Sequence, residues 1–471
     1  MMGTKLSISG IYGPIISLTL QPVALRKSEP SILYQLHPFT PPYPDGISSL
    51  CFMTGFGNIN VLRENHLATE GLNFIAPRSA YLHIPFCRRR CYYCDFPVSV
   101  VGDRARGETS PTIAQYLEIL IQEIATTPNR GASLETVFFG GGTPSLLAPI
   151  QLDRLLQALD RQFGINATAE ISIEMDPGTF DRAQLQGYLA AGVTRISLGV
   201  QAFQSELLAL CGRTHTVQDV YEAIDLLHGA NVQNFSLDLI SGLPHQTLDH
   251  WQASLESAIA THPAHLSAYD LVLEPVTAFG RRYEPGTGPL PTDTTAAEMY
   301  RMAQSLLTGA GYDHYEVSNY GRSGYQCRHN RVYWENRPFY GFGMGAASYI
   351  DGVRLTRPRK RSEYTGWVAN LTSGDSAHQT EVESQTDRLL DTLMLGLRLA
   401  EGVTVDRLLQ EFGAKAVQQV IQGLQSHAEQ GWVMVPERKD SLPSGSIRLT
   451  DPEGFLFSNT ILSDLFAALD D

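Results

Sequence analysis

From Tyr81 to Leu273 the chain repeats one theme: an apolar strand, a turn, then an amphipathic helix. Strand-like segments fall at 81–84, 136–139, 171–175, 195–200, 235–240 and 266–273. Between them, sets such as Leu152, Leu155, Leu156 and Leu159, or Val220, Ala223, Ile224 and Leu227, recur at three- and four-residue steps. That is the period of a helix with one buried face. Strands alternating with helices imply a parallel sheet. The predicted class is α/β, an open, partial (βα)6 barrel over residues 79–300. In such barrels chemistry collects at the carboxyl ends of the strands.

Residues 301–380 read as a connecting region, and 381–471 change character. Leu389, Leu390, Leu393, Met394 and Leu397 make one helical stripe. Thr404 can cap a second helix carrying Val405, Leu408, Leu409 and Phe412, and a third runs through Val417, Val420, Ile421 and Leu424 towards Gly431. Segments 432–435 and 447–449 then read as two short strands around a loop with Pro443 and Gly445. The expectation is a C-terminal winged-helix-like α+β module. It holds fifteen acids against seven bases, so packing or partner docking is expected of it rather than DNA binding.

A net charge of -14 over 471 residues argues against a nucleic-acid ligand for the whole chain. Residues 1–78 carry eight prolines, nine charged residues and no sustained period. They read as a disordered extension or as the product of a mis-assigned start, Met53 being the last methionine before Tyr81. No run of 18 apolar residues exists, so no transmembrane segment is expected.

Cys87, Cys91 and Cys94 stand at C-x3-C-x2-C spacing just after the first strand. Three thiolates leave one iron of a [4Fe-4S] cube without a protein ligand, free to bind a small molecule. The alternative is zinc, but structural zinc takes four closed ligands and only His83 lies near. Thiolates that hold iron must stay reduced, which places the chain in the cytoplasm. Cys51, Cys211 and Cys327 are scattered and read as ordinary thiols.

Gly140, Gly141, Gly142, Thr143 and Ser145 follow the second strand, where adjacent glycines let the backbone approach a ligand. The plainer reading is a tight turn capped by Ser145. Glu174 ends the third strand, Gln201 follows the fourth and Asp238 lies in the fifth. A charge among apolar neighbours is costly unless it faces a polar pocket or an internal ion pair. Arg213 could grip a carboxylate through its fork. His215 is left unassigned. His329, Asn330, Tyr333 and Trp334 place an imidazole among large aromatics, suited to a heme iron and a porphyrin face, or to an aromatic core turn.

Together these residues resemble the radical S-adenosylmethionine (SAM) family of oxygen-independent coproporphyrinogen III oxidase and its relatives, from about Ala80 to Phe466. The most specific parts begin at Tyr81, Phe139, Ile196 and Asp238. The resemblance implies a [4Fe-4S] cluster on Cys87, Cys91 and Cys94, with SAM chelated on the open iron. It implies SAM contacts from Tyr81, Tyr93, Gly141, Gly142, Thr143, Glu174, Gln201, Arg213, Asp238 and Val272. The oxidases carry a further cysteine two positions after the third cluster cysteine; here it is Phe96, as in the heme chaperone branch. That branch also carries H-N-x-x-Y-W, present as His329, Asn330, Tyr333 and Trp334, implicated in holding heme. The expected function is heme binding and transfer to acceptor proteins rather than catalysis, with the decarboxylating oxidase as the alternative. A homo-oligomer is compatible with either.

Overall fold

Alternation within each strand decides how the sheet is used. The computed structural model describes residues 75–103, 106–373, 384–436 and 445–470. Most of the predicted extension over 1–78, and Cys51 with it, lies outside them. Six strands, β1 (Ser79–Ile84), β2 (Leu134–Gly141), β3 (Ile165–Met175), β4 (Arg195–Gln201), β5 (Phe235–Ser241) and β6 (His265–Asp270), lie side by side in chain order, all parallel. Helices α1 (Pro111–Thr126), α2 (Pro149–Phe163), α3 (Arg182–Ala190), α4 (Val217–Gly229) and α5 (Leu248–Ala260) connect them. After α6 (Asp293–Gly309), the antiparallel pair β7 (Asp313–Glu316) and β8 (Asn319–Gly321) extends the β6 edge. A short helix α7 (Arg328–Trp334) follows, and β9 (Tyr340–Phe342) pairs with β1 at the other edge. The sheet is an open barrel.

One face of β3, β4 and β5 presents Ile171, Ile173, Ile196, Leu198, Phe235 and Leu237 to the helices. They join Leu155, Leu159, Ile224 and Leu255 in the main core, each such side chain contributing about 1.5–3 kcal/mol of burial. The opposite face follows from the two-residue period of a strand. In register across it stand Thr136 with Glu170, Ser172 with Arg195, Glu174 with Ser197, and Asp238 with Ser267. The lumen is therefore polar. Threonine caps start the helices behind it: Thr216 accepts from Asp219 N and Thr247 from His250 N.

The sixth strand ends at Asp270, short of the predicted residue 273. Pro275 offers no amide to a ladder, and Thr277 N turns back to Glu274 O at 2.9 Å. Val272 consequently sits in a loop.

A second core holds α8 (Gln385–Gly396), β10 (Val403–Thr404), α9 (Val405–Gly423), β11 (Val433–Met434), β12 (Ser446–Leu449) and α10 (Ser458–Asp470). Thr404 caps α9 by accepting from Arg407 N at 3.3 Å. The ribbon has three strands, because β12 pairs with both β10 and β11. The two helices expected over 404–424 form one run broken at Gly413, where φ is 80°. Ile461, Leu462 and Leu465 of α10 complete this core. Val317 N donates to Arg398 O and Ala400 N to Tyr315 O, each at 3.0 Å, joining these elements to β7.

Candidate functional site

The three cysteines sit on a loop pinned at both ends. Cys87 closes a two-residue strand, Phe86–Cys87, paired with Ser99–Val100. Tyr92 N donates to Cys211 O at 3.0 Å, and Phe279 N to Tyr92 O at 2.9 Å. Arg90 ties the loop to itself through the Phe96 carbonyl at 2.5 Å. Burial, reinforced by the neighbouring Cys91, pushes the Cys94 thiol up to about 12. Burial and then the charge of Asp176 raise Cys87 as well. Metal must therefore displace thiol protons as it binds.

The glycine turn faces this loop. Gly142 N donates to Ile84 O at 2.9 Å and Thr143 N to Phe86 O at 2.7 Å. A Cβ on Gly142 would meet Phe86 O at 2.7 Å, and one on Gly199 would meet Asp176 Oδ1 at 2.9 Å. Only glycine keeps this wall flat. Ser145 is not a cap: its hydroxyl bonds Thr179 Oγ1 at 2.6 Å and accepts from Asp176 N at 3.2 Å.

Arg213 follows a short helix after β4 and is already paired. It donates to Asp176 Oδ1 at 2.5 Å and to Gly199 O at 3.0 Å, while its other nitrogen lies 3.5 Å from Cys91 Sγ and 3.4 Å from the Tyr93 hydroxyl. Asp176 also accepts from Thr143 at 3.2 Å. Sequence reasoning missed Asp176, although a second acid two residues after Glu174 was a visible signal. His215 bonds Val200 O at 3.2 Å and packs beside Arg213, a structural role.

Lower in the lumen, Glu174 accepts from Gly141 N at 3.0 Å, and Asp238 accepts from Ser197 at 3.0 and 2.9 Å. Burial, then the charge of Asp238, raises Glu174 from 4.5 to about 8. Between those pH values the folded protein holds a proton that the unfolded chain has lost. Stability accordingly falls as pH rises through the window. Glu174→Gln, which mimics the protonated acid, is expected to melt with wild type near pH 5 and above it by ~3 °C or more near pH 8.5. Thermal melts at the two pH values check this; an unchanged pH slope in the variant would assign the titration to another group.

At the base of the lumen, α7 carries the aromatic motif. Glu170 accepts from Arg328 N at 3.2 Å and His329 N at 3.1 Å, satisfying amides of the first turn. His329 is 1% exposed, stacks on Phe138 with centroids 5.1 Å apart, and bonds at both nitrogens. Nδ1 meets Thr136 Oγ1 and Nε2 meets the Tyr333 hydroxyl, each at 2.8 Å. The i, i+4 spacing of His329 and Tyr333 brings that pair together. Burial, then Arg195, lowers His329 to about 3, so the ring is neutral, the form that ligates metal. Asn330 is buried beside it, and Trp334 Nε1 is buried without a partner.

The three cysteines, the glycine turn, Glu174, Asp176, Arg213, Asp238 and the aromatic motif line one cavity of about 440 Å³, running from the cysteine loop through the lumen to α7 and the start of α10. Tyr81, Gln201 and the half-exposed Val272 line it too. His83 uses both nitrogens, on the Tyr81 hydroxyl and Pro97 O at 3.0 Å each. Among the described residues no three His, Cys, Asp or Glu side chains converge on one metal-ion position. A cube asks for something different, one thiolate on each of three irons. Three thiols on one loop beside a flat glycine wall fit that group.

Fold and site define a radical SAM protein, and the Radical SAM superfamily model matches residues 81–258. The HemN C-terminal domain model matches residues 384–439. The chain is 47% identical to the heme chaperone HemW of Synechocystis over 412 residues, 84% of this chain and 98% of that one. It is 37% identical to HemW of Escherichia coli, covering 69% and 84% of the two chains. It therefore belongs to the HemW family. The solved structure of coproporphyrinogen III oxidase (HemN) from Escherichia coli shares the fold, with a TM-score of 0.68 at 23% identity over 83% of this chain and 90% of that one.

Proposed function

We propose that this chain is a heme chaperone, which binds heme and passes it to acceptor proteins. Cys87, Cys91 and Cys94 would hold a [4Fe-4S] cluster. Tyr81, Tyr93, Gly141, Gly142, Thr143, Glu174, Gln201, Arg213, Asp238 and Val272 would form the bed for SAM on the open iron. The cluster supplies a coordination site and one-electron chemistry when bound; the chain's part is to seat the ligands and exclude water. The observation that carries the reading is that His329, Asn330, Tyr333 and Trp334 line the same cavity as the cysteines. The barrel spans 79–300 in this reading, the region with the aromatic motif 301–380, and the docking module 381–471. Among the described residues no helix is long and apolar enough to cross a membrane, and the reading places the chain in the reducing cytoplasm.

The test is an anaerobic titration of cluster-reconstituted protein with heme, followed by absorbance, beside an assay for carbon dioxide release from coproporphyrinogen III with SAM and reductant. Near-stoichiometric heme binding without decarboxylation is expected. Decarboxylation without heme binding would replace the chaperone by the oxidase.

A further inference from the structure

Buried arginines in protein interiors are held by ion pairs or hydrogen bonds, and one arginine in the lumen makes neither among the described residues. Arg195 opens β4 on the lumen face and is 2% exposed. Its Nε is buried without an acceptor, and among the described residues its guanidinium enters no hydrogen bond or ion pair. Ser172, its register partner on β3, is fully buried and its hydroxyl is likewise unpartnered. Glu170, which accepts from the amides of α7, and Asp238, which accepts from Ser197, act on the Arg195 charge from a distance without bonding it. Arg195 also lines the cavity, between the level of Glu174 and the base where His329 lies.

That position excludes one obvious ligand. A carboxylate chelated to the open iron would lie by the cysteine loop, near Arg213 and the far end of β4, whereas Arg195 begins that seven-residue strand. The group it awaits belongs to a second, anionic ligand in the lumen. We infer that Arg195 is the receptor for a carboxylate of the bound tetrapyrrole, one propionate of heme. The inference rests on the heme-binding reading above. The two Nη nitrogens, unlike the buried Nε, are open to the cavity and form a planar fork that matches a carboxylate, and charge-assisted bonds of this kind are strong away from bulk water. Arg195 would thus orient heme, with the iron left to other groups.

Hemin and hemin dimethyl ester, in which both propionates are masked, separate the possibilities when titrated into the cluster-reconstituted full chain. Wild type is expected to bind the free acid ~10-fold or more tightly than the diester. Arg195→Gln should lose that preference by weakening the acid ~10-fold while holding the diester unchanged. Cluster content and SAM affinity, unchanged in the variant, would show that its lumen is intact. Arg195→Lys should keep part of the preference, a point charge without the fork. Equal affinity of wild type for both porphyrins, which needs no variant, would overturn the assignment and leave the heme reading standing. So would a preference that survives in Arg195→Gln. Binding of neither porphyrin by wild type would overturn both.

Discussion

Serine at Cys87, Cys91 or Cys94 is expected to leave protein that, after anaerobic reconstitution with iron and sulfide, takes up no more than about a tenth of the wild-type cluster. The loop has no spare ligand to offer. Cys211 is fully buried under the loop and does not line the cavity, and Cys327 lies at the base of the lumen near Glu170. Cys211→Ser and Cys327→Ser should therefore keep the cluster. SAM binding, followed by calorimetry, should vanish with the cluster in the first three variants, because the open iron is its anchor. Cluster loss in Cys211→Ser would be the damaging outcome. It would mean four thiolates, no open iron, and no place for SAM.

Much of this was legible because strand chemistry is local. In Ile171 to Met175, Arg195 to Gln201 and Phe235 to Leu239 the alternation of apolar and polar residues is visible in the sequence, and it assigns one face to the helices and the other to the lumen. The cysteine spacing and glycine turn were equally local. Pairings across the fold were not. Thr136 meets His329 across 193 residues, and Glu170 caps α7 across 158 and 159. Neither bond leaves a mark in its own neighbourhood. Arg213 read as a free fork because its partner, Asp176, lies at the end of another strand. The alternation places Arg195 on the lumen face, but a charge opening a strand is ordinary, and only the register shows which groups lie beside it. In the C-terminal module, β10 has two residues and no period to detect, and it exists because β12 supplies the ladder.

His329 supports the second large effect. As the ring stands, Nε2 is bonded to Tyr333 and Nδ1 to Thr136, so iron can reach the imidazole only if one of those bonds opens. Both Tyr333 and His329 line the cavity, which makes the Nε2 bond the one that heme can displace. His329→Ala is then expected to weaken heme binding ~100-fold or more while leaving the cluster in place, since no ligating nitrogen remains. Tyr333→Phe should act in the opposite direction. It removes the competing hydroxyl, and with a net hydrogen bond worth about 1 kcal/mol, heme affinity should rise ~5-fold. A purely structural histidine predicts something else: both variants would lower the melting temperature, neither would change the heme spectrum at full occupancy, and Tyr333→Phe would weaken rather than strengthen binding. Heme titrations of the three proteins, with iron and sulfide content measured on the same samples, decide it. Opposite signs in the two variants place the iron on Nε2, and equal, tight binding by all three moves heme away from α7 altogether.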